Sequence, residues 1–154
     1  MKIKLEPWAF MPTRAHEDDA GLDLYATEDV TVLPYGSVTI DTGVHIELPY
    51  IECQYYQSDV RDGRLQMMNT VGFLKSKSGL NTKHGITSDG TIDVGYTGSI
   101  RVTLHNHSVR PYDIKRGDKI SQLVIVPILT PELEVVDELE ETERGDNGFG
   151  STGR

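Results

Sequence analysis

Apolar and polar residues alternate along most of this chain, and the alternation predicts a series of short β-strands. The runs cover Ile3 to Leu5, Leu22 to Ala26, Val30 to Leu33, Val38 to Asp41, Val44 to Leu48 and Ile51 to Tyr56. Later runs cover Leu65 to Met68, Ser99 to Asn106, Tyr112 to Ile114, Lys119 to Pro127 and Glu134 to Val136. Pro34-Tyr-Gly36, Asp41-Thr-Gly43, Arg61-Asp-Gly63 and Lys115-Arg-Gly-Asp118 punctuate them as turns. Short strands at this spacing predict an all-β barrel or sandwich. One short helix is expected over Ser78 to His84. No repeat and no linker divides the chain, and 154 residues suffice for one domain with its own core.

Composition narrows the class. Hydrophobic residues make up 37% and charged residues 25%, as in an ordinary globular protein. No apolar run approaches the roughly 20 residues needed to cross a membrane. The N-terminal residues lack the apolar stretch of a signal peptide. Cys53 is the only cysteine, so no internal disulfide forms, which fits a reducing, cytoplasmic setting. The net charge of -9 disfavours direct nucleic-acid binding, because gripping phosphates nonspecifically needs clustered Lys and Arg. Seven acids and no base lie between Glu132 and Glu143, which reads as a solvated connector. The bases near Lys75, Lys77, Lys83, Arg116, Lys119 and Arg144 remain available to a small anionic ligand.

The densest chemistry lies in Gly90-Thr-Ile-Asp-Val-Gly-Tyr-Thr-Gly98. Three glycines in nine residues are expected to break regular structure and turn the backbone sharply. Asp93 sits between Ile92 and Val94, with Tyr96 three residues on. An acid on a tight hairpin at the mouth of a strand suits a general base, and equally a turn residue capping its own backbone. Asp23, between two leucines, is an inward carboxylate that needs a cation, donors or a water-bound metal. Ser76-Lys-Ser-Gly-Leu80 sets hydroxyls and a cation at a helix start, where free N–H groups attract phosphate or take a plain cap. Gln122 is a polar position in a strand that follows the Arg116-Gly117-Asp118 turn, facing either solvent or a ligand. The tail Arg144-Gly-Asp-Asn-Gly-Phe-Gly-Ser-Thr-Gly-Arg154 cannot bury a core. It reads as a disordered end or as a lid, with Phe149 offering a stacking face and Arg144 a fork for phosphate.

These five segments, in this order and over nearly the whole chain, resemble the five motifs of the homotrimeric dUTPase family. They are Ala20 to Ala26, Ser76 to Leu80, Gly90 to Tyr96, Arg116 to Leu123 and Arg144 to Gly153. The resemblance implies a jelly-roll-like β-barrel, a homotrimer with three shared sites, and a mobile C-terminal arm. It implies hydrolysis of dUTP to dUMP and pyrophosphate with Mg²⁺, which limits uracil incorporation into DNA and supplies dUMP. By position, Asp93 resembles the acid that activates water, and Tyr96 the ring that packs under the deoxyribose and excludes a 2′-hydroxyl. Ser78 and Gln122 resemble phosphate contacts, and the resemblance implies that Lys77, Gly79, Thr87, Gly90 and Ile92 bind the substrate as well. Asp23 resembles the acid that reaches Mg²⁺ through water. Arg144, Phe149, Gly150, Ser151 and Thr152 resemble the closing arm. The implied division is a catalytic barrel over residues 1–143 and an arm over 144–154.

Several positions depart from the family pattern. Lys77 stands where Arg is usual, turning a forked phosphate contact into a point charge. Ser76 replaces a common Pro, Thr87 a common Asn, Gly95 a common Asp, and Asn147 a Gly of the arm. The stretch between Pro49 and Lys77 is roughly fifteen residues longer than the pattern, an insertion that loop-closure entropy tolerates. Its Tyr50, Tyr55, Tyr56, Met67 and Met68 read as a decorated hairpin or, over residues 50–72, as a surface for a protein partner. Two other functions remain open at this point. One is a dCTP deaminase of related fold, against which Phe149 argues. The other is a nucleotide-sensing interaction protein.

Overall fold

The computed structural model describes residues 1–55, 64–142 and 145, with side chains undescribed at 53–55 and 64–66. Eleven strands and one helix form among the described residues. In chain order they are β1 Lys2–Leu5, β2 Gly21–Tyr25, β3 Val30–Val32, β4 Ser37–Asp41, β5 Val44–Glu47 and β6 Ile51–Tyr55. Then come β7 Arg64–Ser76, α1 Ser78–His84, β8 Ile86–Ile92, β9 Arg101–Asn106, β10 Tyr112–Ile114 and β11 Lys119–Ile128. The main sheet runs β2-β11-β7-β8-β9-β4, with β6 continuing the hairpin onto β7. It curls into a half-barrel. Two ribbons, β1 with β5 and β3 with β10, complete the strand pairing. Every strand pair is antiparallel.

The core follows from the alternation. In β9, Val102, Leu104 and Asn106 point inward while Arg101, Thr103 and His105 point out. Leu24, Ile40, Ile86, Ile100, Ile120 and Leu123 join Val102 and Leu104 in one buried cluster. Asn106 is the polar member, and its bonding capacity is fully used. Its Nδ2 donates to Val32 O at 3.0 Å and Arg110 O at 2.7 Å, and its Oδ1 accepts from Ser108 N and Oγ.

Three expectations change. Gly90 does not end a regular element; it lies within β8, a strand the alternation pattern does not reveal. The inward positions of β8 between Ile86 and Ile92 are Ser88 and Gly90, so the apolar signal is lost there. Ser88 Oγ meets Ser121 Oγ at 2.9 Å, and a Cβ at Gly90 would stand 3.0 Å from Leu74 Cδ1. The run Leu65 to Met68 is only the start of β7, which continues to Ser76 because β6, β8 and β11 all pair with it. Glu134 to Val136 forms no strand; the chain after β11 lies open, with Leu133 95% and Val135 98% exposed. The helix begins and ends where expected, closed by Gly85 at φ 67°.

Replacing Asn106 by Ala should strand the buried Val32 carbonyl, while Arg110 O keeps the Ser108 hydroxyl, and lower stability by about 1–3 kcal/mol. Chemical denaturation at fixed chain concentration measures this. A midpoint equal to that of the parent chain would show that water replaces the side chain without loss.

Candidate active site

Asp23 is the centre of the first cluster. It does not face the core, the position the sequence suggests; Leu22 and Leu24 take that face of β2, and Asp23 lies on the opposite one, covered there to only 2% exposure. Its register partner on β11 is Gln122, whose Nε2 lies 3.3 Å from Asp23 Oδ1. Gly21 makes this possible, because a Cβ there would stand 3.0 Å from Gln122 Cβ. Lys77 Nζ reaches the same oxygen at 2.6 Å, and Lys119 Nζ reaches Oδ2 at 2.8 Å. A register shift between Lys119 and Ser121 bulges β11 and turns Lys119 toward Asp23. Burial alone would push the Asp23 carboxyl up, but the hydrogen bonds and charges of Lys119 and Lys77 outweigh it and hold the acid below its usual range. The same contact raises Lys119.

Beside Asp23 stands the start of α1. Lys77 is the residue before the helix, and no side chain caps its N-terminus. No acid stands in the first turn. A Cβ at Gly79 would meet nothing within 4 Å, so packing does not demand glycine there. Behind this corner the buried hydroxyls of Ser88 and Ser121 bond to each other, and the half-buried Ser76 hydroxyl bonds to the Ser88 backbone, which fixes the junction of β7, β8 and β11. Lys77, Ser78, Gly79, Gln122 and Asp23 are thus brought to one corner of the sheet. Of the other bases singled out above, Lys75 sits 3.5 Å from Asp89 on the exposed face. Arg116 lies elsewhere, 4.9 Å over the Phe10 ring.

Asp93 belongs to a second cluster. Val94 and Gly95 form the turn after β8, with Gly95 at φ 88°, and Tyr96 N donates to Asp93 O at 3.1 Å. The Tyr96 ring lies over Gly98, where an added Cβ would fall 2.6 Å from the ring carbon bearing the hydroxyl. Its hydroxyl donates to Ser99 O at 3.0 Å. A cavity of about 210 Å³ is lined by Thr91, Ile92, Asp93, Tyr96 and Arg101. Arg101 was not singled out above. The phase of β9, with 102 and 104 inward, is the signal that sends it outward beside the loop. The Asp41 to Val44 turn supports the loop from below. Thr42 N and Oγ1 both donate to Ile100 O, Ile100 N donates to Val44 O, and Ser99 Oγ donates to Asp41.

Thr87 is not drawn into this cavity; its hydroxyl bonds to His107 Nε2 at 2.8 Å near the other end of β8. Asp23, Gln122, Lys75 and Asp89 form one row across the sheet. Asp93 lies four residues beyond Asp89, about 13 Å at roughly 3.3 Å per residue, with three strand spacings of ~4.8 Å between β8 and β2. The two clusters are therefore separate in one chain. Arg144, Phe149, Gly150, Ser151 and Thr152 lie outside the described residues.

Among the described residues, no group of three or more His, Cys, Asp or Glu can hold a metal. Asp23 is a single carboxylate with both oxygens already facing cations. That donor set fits Mg²⁺ only through the ion's own water shell, the inner shell being water and ligand oxygens.

Comparison with known proteins gives one family. The family model described as dUTPase matches residues 8–56 and 52–153. A deoxyuridine 5′-triphosphate nucleotidohydrolase of Gloeothece citriformis is 42% identical, over 97% of this chain and 93% of its own. One of Clostridium tetani is 40% identical, over 100% and 97%. The solved dUTPase of Staphylococcus bacteriophage 80alpha with dUpNHpp has a TM-score of 0.82 at 32% identity, covering 99% of this chain and 98% of that one. A mutant dUTPase from phage phi11 of S. aureus, described with a structural Mg(II) ion, has a TM-score of 0.73 at 30% identity, covering 91% and 98%.

The Asp23 cluster predicts a pH signature. A depressed folded-state pKa contributes stability that is present above the unfolded value near 3.8 and lost as pH falls through the folded one. Asp23→Asn should cost about 1–3 kcal/mol at pH 7, less than the roughly 3–5 of a broken, fully buried pair. The smaller figure reflects Lys119, whose side chain is 43% exposed and can turn to water. The gap in melting temperature between parent and mutant should close as pH drops below about 4. A gap that stays constant down to pH 2.5 would contradict the ion pairing.

Proposed function

The chain belongs to the dUTPase family and hydrolyses dUTP to dUMP and pyrophosphate, and we propose that it does so at sites shared between copies of itself. The observation that carries the shared site is the separation of the Asp93–Tyr96 cavity from the Asp23–Lys77–Gln122 corner. One nucleotide needs both, so the cavity of one copy meets the phosphate corner of another. The open segment after β11 supports the same reading: Leu133, Val135 and Leu139 are large, apolar and exposed, and a second copy would cover them. In this reading the assembly is a homotrimer, residues 1–143 are its catalytic barrel, and 144–154 the arm that closes over the base.

The chemistry then divides among named groups. Asp93 takes a proton from the attacking water as the oxygen bridge between the α- and β-phosphorus breaks. Tyr96, held over Gly98, crowds a 2′-hydroxyl and so disfavours a ribonucleotide. Ile92 and Gly90 bring backbone and apolar surface to the nucleoside. Ser78, Gly79 and the helix start offer donors to phosphate, while Lys77 and Gln122 exchange Asp23 for phosphate oxygens. Mg²⁺, when bound, neutralises triphosphate charge, and Asp23 is the residue positioned to meet its water shell. Arg144, Phe149, Gly150, Ser151 and Thr152 supply the arm.

The deaminase alternative finds no support among the relatives, which are named nucleotidohydrolases. No helix among the described residues is long and apolar enough to cross a membrane. A cytoplasmic setting is part of the proposal, supported by the lone cysteine. The hairpin of β6 and early β7 is proposed as the surface for any protein partner, supported by exposed Tyr50 and Met67.

Asp93→Asn should lower kcat by on the order of 10²–10⁴ while leaving dUTP binding within a few fold. Mixing that variant with a Lys77→Ala, Ser78→Ala chain, after unfolding and reassembly, tests the sharing. At equal amounts roughly a quarter of the sites should carry both intact halves and regain turnover. Activity no greater than the sum of the two variants would place all the machinery in one chain.

A further inference from the structure

His45 sits on β5, opposite Lys4 of β1, on the outward face of a two-stranded ribbon. Its side chain is nevertheless only 19% exposed, because Glu6 and the Thr97 backbone cover it. Nδ1 lies 2.8 Å from Thr97 O. A carbonyl oxygen only accepts, so Nδ1 carries the proton of this bond. Nε2 stands 3.2 Å from Glu6 Oε1, outside hydrogen-bond geometry. Glu6 is fixed in turn by Lys4, 3.0 Å away, whose hydrogen bond and charge hold the carboxyl below its usual range. Lys4, Glu6 and His45 thus form a chain of charge and hydrogen bonding that ends on the residue between Tyr96 and Gly98.

That loop has few other holds. Ser99 and Ile100 are tied to Asp41, Thr42 and Val44, and Tyr96 is tied back to Ser99. Between these ties the Thr97 carbonyl is gripped by His45. We propose that His45 is a positioning residue: by fixing the Thr97 carbonyl it holds the Tyr96 ring at the depth that excludes a 2′-hydroxyl. This rests on the reading of Tyr96 as the sugar contact. His45 touches neither substrate nor reacting atoms in this scheme, and it governs discrimination more than turnover.

The test compares variants at one position. Asn carries its amide nitrogen on Cγ, as Nδ1 is carried, whereas Gln carries it one atom further out, as Nε2 is. His45→Asn therefore keeps a donor for Thr97 and His45→Gln does not. The ratio of kcat/KM for dUTP to that for UTP should fall on the order of tenfold in His45→Ala and His45→Gln, since misplacing a group by ~1 Å costs up to about 10². Most of the fall should lie in improved use of UTP, with kcat on dUTP within about threefold of the parent, as expected of a group that acts on fit alone. His45→Asn should keep the parent ratio, and His45→Ala added to Tyr96→Ala should lower it no further. Hydrogen exchange at residues 93–99 gives a second readout, faster in the Ala and Gln chains and unchanged in Asn. If His45→Ala loses its assembly, the Asn and Gln chains, close to native in size, carry the comparison. An unchanged ratio in His45→Ala or His45→Gln while Tyr96→Ala lowers it overturns the proposal, as does rescue by Gln rather than Asn. If Tyr96→Ala itself leaves the ratio unchanged, the sugar reading fails. The loop exchange alone then decides whether His45 braces Thr97.

Discussion

The pairing of β11 with β2 on one side and β7 on the other is the constraint on which the rest depends. It sets Gln122 opposite Asp23 and opposite Lys75 at once. It sends Leu123 against Gly72, where an added Cβ would stand 2.9 Å from the Leu123 Cδ1. A slip of one residue would exchange the faces of the strand and carry Leu123 out and Gln122 into the core. The bulge after Lys119 is the one departure from regular register against β2, and it delivers the second cation to Asp23. A carboxylate this far from water is tolerable only with such partners. The charge cluster and the sheet register therefore stand or fall together.

The second cluster is built on a different principle. Asp93 and Tyr96 ride a loop whose shape comes from hydrogen bonds to the β4–β5 turn rather than from burial of its own side chains. Thr42, itself buried, gives both its N–H and its hydroxyl to one carbonyl, Ile100 O. Ile100 is the apolar anchor that drops into the core at the base of the loop. Such a design leaves Asp93 and Tyr96 at the surface, ready to face another molecule, while the backbone beneath them is fixed. His45 extends this support to the tip of the loop.

The departures from the family pattern take on meaning in this frame. Lys77, in place of a forked arginine, makes one close contact with Asp23 and leaves the other oxygen to Lys119. Gly95 adopts a left-handed φ that other residues rarely take, which gives the turn after Asp93 its tightness. Thr87 is engaged by His107, so its hydroxyl serves the β8–β9 pairing rather than the cavity. The described part of the longer stretch pairs β6 with the start of β7, while the Asp23–Lys77 corner lies at the other end of β7.

The amino-acid pattern by itself determined the class of fold and the limits of the helix, and it marked the segments proposed to carry chemistry. It could do so because each is a local property: period-two alternation, a helix closed by glycine, and an acid set in a glycine-rich turn. It did not reveal β8, the full length of β7, or the lack of a strand at Glu134 to Val136. Inward positions 88 and 90 are serine and glycine because Ser121 and Leu74 occupy the space across from them, and those neighbours are remote in sequence or on another strand. Val135 alternates like a strand residue, yet among the described residues no strand pairs with that stretch. Only the tertiary structure showed that Lys119 shares Asp23 with Lys77, and that Arg101 joins Asp93 and Tyr96 around one cavity. Only it separated the two clusters along β8, because distance across a sheet depends on register, and register is settled by which faces can be buried together.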